Sequence, residues 1–111
     1  MAFRYDINQR LYKFVAANTS ETLDYTPANG EKILIERAGG SSSTTPDTTV
    51  CVVWDPGGGE QEILVSTYRD TLHEGIDKEF TGDGSKVLQI CLTNDLSESS
   101  HMGGFVQAVK I

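Results

Sequence analysis

An antiparallel all-β fold is what this sequence predicts, and three features predict it. Short apolar runs recur along the 111 residues, each bounded by turn-forming residues. No stretch of ten or more residues keeps a helical period without a Gly, Pro or β-branched interruption. The segment DPGGG at 55–59 lies between two apolar runs, where proline and three glycines supply the backbone freedom for a tight reversal. The length suits one domain with a single modest core.

Strands are expected at 10–17, 21–26, 31–38, 48–54, 61–68, 76–80, 86–93 and 104–111. The fourth, ending VCVVW, is apolar on both faces, with Val50, Val52 and Trp54 on one side and Cys51 and Val53 on the other. Such a strand needs cover on both sides. It pairs with the fifth through the DPGGG turn. The seventh, KVLQICLT, places Leu88, Ile90 and Leu92 on the face expected to meet the core. The eighth runs to Ile111 and ties the C-terminus into a sheet. AGGSSSTTPD at 38–47 reads as a long exposed loop, and 94–104, rich in Ser and Gly, as another. The best helical candidate, 69–77, is short.

Sixteen acidic and nine basic residues leave a formal charge of −7 and a pI near 4.6. Such a surface repels phosphate backbones and anionic bilayers, so neither nucleic acid nor membrane is an expected partner. No apolar run approaches the roughly 20 residues that cross a bilayer, and the first ten residues hold no apolar secretion segment, so the chain is expected to be soluble and made in the cytosol. The charge is uneven. Residues 55–100 carry three basic and ten acidic groups, whereas in the first thirteen Arg4, Arg10 and Lys13 face Asp6 alone. That positive segment suits an acidic neighbour, including another copy of the chain.

Candidate chemistry is sparse. TGDGSK at 81–86 lacks the spacing and following helix of a phosphate-binding loop and reads as a turn in which Asp83 and Gly84 supply positive φ. Asp77, Glu79 and Asp83 are close in sequence but follow no calcium-loop pattern. His73 and His101 are the only histidines, and no nucleophile signature organises them. No cofactor, metal or catalytic residue is therefore expected. Cys51 and Cys91 read as buried free thiols on strands, with a bridge between adjacent strands left open if the chain matures outside the reducing cytosol. Trp54 and Tyr68, near the ends of the hairpin, offer a sugar-stacking platform as an alternative to core packing.

From about Val50 onward the chain resembles small β-sandwich proteins of tailed-bacteriophage structural gene clusters. The residues that carry the likeness are VCVVWD with its glycine turn, FTGDGSKVLQICLTN at 80–94 and MGGFVQAV at 102–109. The resemblance implies an antiparallel, jelly-roll-like β-sandwich of about eight short strands. It also implies a non-enzymatic virion protein, a capsid decoration (cement) protein or a neck or tail accessory, that binds the major capsid protein and copies of itself as a trimer or other homo-oligomer. The division expected is an N-terminal docking segment, 1–13, and a single sandwich domain, 14–111. Phe3, Arg4, Tyr5, Arg10 and Lys13 are its expected partner-binding residues, the aromatics as anchors and the cations pairing with acids. The alternative is a carbohydrate- or host-surface-binding module built on Trp54, Tyr68 and the two loops.

Overall fold

Two four-stranded antiparallel sheets face each other in the computed structural model, which describes residues 5–111. The strands are β1 (Ile7–Val15), β2 (Thr19–Tyr25), β3 (Lys32–Ser41), β4 (Thr48–Trp54), β5 (Glu62–Thr67), β6 (Thr71–Thr81), β7 (Leu88–Asn94) and β8 (Ser100–Lys110). One sheet has the order β1-β8-β3-β6 and the other β2-β7-β4-β5. The first strand thus pairs with the last, β2 with β7, β3 with β6 and β4 with β5. That is one long antiparallel ribbon, rolled so that β3 also meets β8 and β4 meets β7. The result is the expected jelly roll.

The ribbon's tip is the DPGGG turn. Asp55 (φ 50) and Gly57 (φ 76) take left-handed conformations there, and the Asp55 Oδ2 accepts a hydrogen bond from Glu60 N at 3.0 Å. From that tip, VCVVW sends Val50, Val52 and Trp54 inward to meet Leu88, Ile90 and Leu92 of β7, all buried as the alternation predicts. Ile33, Ile35, Val106 and Ala108 close the core from the other sheet. Val50 of the opposite sheet fits against the glycine pair Gly40–Gly104, register partners on β3 and β8. A Cβ on Gly40 would stand 2.7 Å from Val50 Cγ1. AGG at 38–40 is therefore strand rather than loop: its glycines make room for neighbours instead of a turn.

Three further expectations change. The segment 69–77 is not helical but lies largely in β6, whose alternation is broken by Gly75 (φ 65) and Asp77 (φ 57) where two extra residues bulge out opposite β3. β8 begins at Ser100, inside the expected loop 94–104. The boundary expected between residues 13 and 14 falls within β1, which is paired with β8 along its length and buries Ile7 and Val15. Residues 7–13 are thus the edge strand of the sandwich and not a separate segment.

Tyr25 joins β2 to the following turn, its hydroxyl donating to Glu31 Oε2 at 2.6 Å. Burial first, then the hydrogen bond and the negative charge of Glu31, push its pKa from 10.0 up to about 12. The folded chain holds this proton more tightly than the unfolded one, so the contribution is complete below pH 10 and is lost as pH rises toward 12. An absorbance titration of tyrosinate is expected to show one late-ionising tyrosine that disappears in Tyr25→Phe and moves down in Glu31→Gln. Ionisation of every tyrosine near pH 10 in the folded wild type would contradict this.

Candidate functional site

Four rows of side chains cross the outer face of the β1-β8-β3-β6 sheet, because residues opposite one another in an antiparallel ladder project to the same side. The first row is Asn8, Gln107, Arg37 and Glu74, one from each strand in order. It is joined end to end: Gln107 Nε2 donates to Asn8 Oδ1 at 3.2 Å, and Arg37 donates to Gln107 Oε1 at 3.0 Å and to Glu74 Oε1 at 3.4 Å. Arg37 reaches this face through the bulge at Glu36, which shifts the register of β3 against β8.

The next row is Arg10, Phe105, Gly39 and Leu72. With no side chain on Gly39, the Phe105 ring lies down over β3; a Cβ there would stand 2.7 Å from Phe105 Cε1. The third row is Tyr12, Gly103 and Ser41, and here the Tyr12 ring covers Gly103 in the same way. Phe14 and His101 form the last row, their rings 5.0 Å apart. The two double glycines, 39–40 and 103–104, thus serve both faces: Gly40 and Gly104 admit the opposite sheet, while Gly39 and Gly103 seat aromatic rings outside.

This face is apolar, aromatic and cationic at its centre. Tyr12 is 44%, Leu72 52% and Phe14 71% exposed. The Arg10 guanidinium stands 5.6 Å from the Tyr12 ring centre and 6.0 Å from that of Phe105, and Arg37 lies 5.9 Å from Phe105 on another approach. Arg37 is neutralised by Glu74, whereas Arg10 makes no ion pair among the described residues. Two adjoining depressions, about 350 and 320 Å³, share Phe105 and Leu72; Ser41, hydrogen-bonded to Asp70 at 2.8 Å, lines the first and both arginines line the second.

Of the residues expected to bind a partner, Phe3 and Arg4 lie outside the described residues. Tyr5 is half-buried just ahead of β1, and Arg10 stands on the outer face midway along the edge strand β1. Lys13 is engaged within the chain by Glu21 at 2.7 Å, so β2 neutralises part of the positive segment. The residues that sequence reasoning missed are Tyr12, Leu72, Phe105 and Arg37, which come from three other strands besides β1 only once the register is known. The sugar platform on Trp54 is overturned: Trp54 is 1% exposed and stacks on Phe80, ring centres 4.9 Å apart. Tyr68 carries Arg69 over its ring at 5.3 Å, away from the Trp54 indole in the core.

The TGDGSK segment forms a turn. Asp83 closes its own turn, accepting hydrogen bonds from Ser85 N at 2.8 Å, Ser85 Oγ at 3.0 Å and Lys86 N at 2.8 Å, and these hold its carboxyl below the usual range. Gly84 alone takes the positive φ expected for both turn residues. No group of three or more His, Cys, Asp or Glu side chains among the described residues is placed to hold a metal ion.

No family model and no curated protein matches the chain. Among solved structures it is similar to the core of Drosophila NLP, from a crystal structure concerned with pentamer formation and histone binding. The TM-score is 0.44 at 12% identity, with 91% of this chain and 98% of that chain covered.

Proposed function

We propose that this chain is a non-enzymatic structural protein of a virion, a capsid decoration protein that bridges neighbouring capsid subunits and docks through the outer face of the β1-β8-β3-β6 sheet. The observation that carries the docking assignment is the patch over two neighbouring rows in which exposed Arg10, Tyr12 and half-exposed Leu72 surround the half-buried Phe105 ring. Aromatic rings and arginine are the side chains that contribute most at protein interfaces, and here they are already held by the sheet, so little freedom is lost on binding. The virion assignment rests on the sequence resemblance from Val50 onward, with the jelly roll in keeping with it.

A decoration protein has no reaction to perform. It binds the assembled lattice and not its separated subunits, which stabilises the lattice by mass action. Arg10, unpaired within the described chain, seeks a carboxylate on the capsid or on a second copy, while Phe105 and Tyr12 bury their free surfaces. Of the acids nearby, Glu74 and Asp70 border the docking face and are engaged there by Arg37 and Ser41, while Glu62 belongs to β5 of the other sheet.

The test is addition of the purified chain to parent-phage capsids assembled without it. The expected result is saturable binding and a rise in the temperature at which the particles open. Particles that open at the same temperature at saturating protein would overturn the assignment. The second reading, a glycan-binding module, is favoured by the depression where Tyr12 and Phe105 flank Ser41 and Asp70, a ring-and-carboxylate arrangement that suits a sugar. Glycan binding by the isolated chain, without capsid binding, selects it.

A further inference from the structure

Cys51 and Cys91 are ladder partners on β4 and β7, the two inner strands of their sheet. Their neighbours Val50, Val52, Ile90 and Leu92 are fully buried, while both thiols lie half-buried on the outer face. The bonds Asp55 N to Val87 O and Asp95 N to Asp47 O, each 2.8 Å, set the phase of this ladder. Counting in alternate steps from either end, Cys51 and Cys91 fall on a hydrogen-bonded pair, whose Cα atoms stand about 5.5 Å apart. That lies within the range of about 4.4 to 6.8 Å that a disulfide spans. The β-carbons of such a pair sit at the wide end of cross-strand spacing, about 5.5 Å against about 3.8 Å in a relaxed disulfide. Closure therefore draws the strands together, and a bond so formed is readily reduced. In the reduced chain the thiols turn to small hydroxyl neighbours, Cys51 Sγ to Ser66 Oγ at 3.7 Å and Cys91 Sγ to Thr93 Oγ at 3.8 Å.

We propose that Cys51 and Cys91 form a reversible cross-strand disulfide, closed by exchange with a low-molecular-weight disulfide such as oxidised glutathione. One protein thiolate attacks the small disulfide, forming a mixed disulfide and releasing one glutathione thiolate. The second protein thiolate then attacks the bonded cysteine sulfur, forming the Cys51–Cys91 bond and releasing the second glutathione. Two protein thiols lose two protons and two electrons in total, and one small disulfide becomes two thiols. The bond staples the centre of the sheet and closes the segment 51–91. It does not depend on the proposed function.

The intact chain is equilibrated in buffers of varied reduced-to-oxidised glutathione ratio, quenched with an alkylating agent and weighed. The expected result is a monomer lighter by two hydrogens, with both cysteines protected together and restored together as reduced glutathione rises. Its melting temperature should lie about 5 °C above that of the reduced chain, a difference absent in Cys51→Ser. Persistent alkylation of both cysteines under oxidising buffer, accumulation of a single glutathione adduct on the wild type, or a bond between two chains would each overturn the proposal.

Discussion

Replacing Trp54 by Ala lowers the stability of the fold by about 3–5 kcal/mol, the range for removing a fully buried tryptophan. Trp54 ends β4 inside the sandwich, 1% exposed, with Phe80 of β6 stacked on it at an interplanar angle of 20°. Phe80 belongs to one sheet and Trp54 to the other, so the pair joins the two layers near the tip of the ribbon. Its loss leaves a cavity that rigid strands close only in part. Since domains of this size have about 5–15 kcal/mol to lose, the melting temperature is expected to fall by on the order of 15 °C or more. Urea unfolding followed by circular dichroism gives the number; a loss below about 1 kcal/mol would mean that the indole is not a core side chain.

Asn94→Ala is expected to cost about 2–4 kcal/mol for a different reason. Asn94 is the last residue of β7 and has no exposed surface, yet it is polar. Its Nδ2 donates to Val15 O at 3.0 Å and Glu98 O at 2.9 Å, with Ala16 O at 3.4 Å, and its Oδ1 accepts from Leu96 N at 2.9 Å. One amide thus ties the β1–β2 turn to the β7–β8 connection, and removing it leaves the Val15 carbonyl of a buried residue and the part-buried Leu96 amide without this partner. Faster hydrogen exchange at the Leu96 amide should accompany the loss. Asn94→Asp, which keeps the acceptor but has no donors, should be at least as destabilising. Variants as stable as the wild type would show that the connections hold themselves.

The fold was legible where side chains alternate without interruption. β4 and β7 lie where the apolar pattern puts them, and the DPGGG turn joins β4 to β5 as its residues require. β6 was legible only in its second half, expected at 76–80; its first half was hidden because the bulge at Gly75 and Asp77 breaks the alternation that marks a strand. The double glycine at 39–40 misled for the opposite reason. Glycine signals a turn in a sequence, whereas here it accommodates Val50 on one face and Phe105 on the other, neighbours that only tertiary structure supplies.

The candidate site was legible only in Arg10. Its companions come from β3, β6 and β8, distant in sequence and brought into rows by the register, which a single sequence does not reveal. One signal was available: Arg10, Tyr12 and Phe14 alternate on β1, placing cation and aromatic rings on one side of an edge strand. Lys13 has the same charge but the opposite direction, and its pairing with Glu21 shows why net charge over thirteen residues does not locate a docking face.

Docking through the outer face of β1-β8-β3-β6 is tested most directly by co-sedimentation of the chain with undecorated parent capsids. Three forms are compared: wild type, Arg10→Glu, and Thr22→Glu on the outer face of the other sheet as a control for added negative charge. All three should first show unchanged circular dichroism. Wild type and Thr22→Glu are expected to bind alike, and Arg10→Glu about 30-fold or more weakly, the loss typical of an interface hot-spot arginine. Equal binding by Arg10→Glu and wild type, or weakened binding by Thr22→Glu alone, would contradict docking through this face.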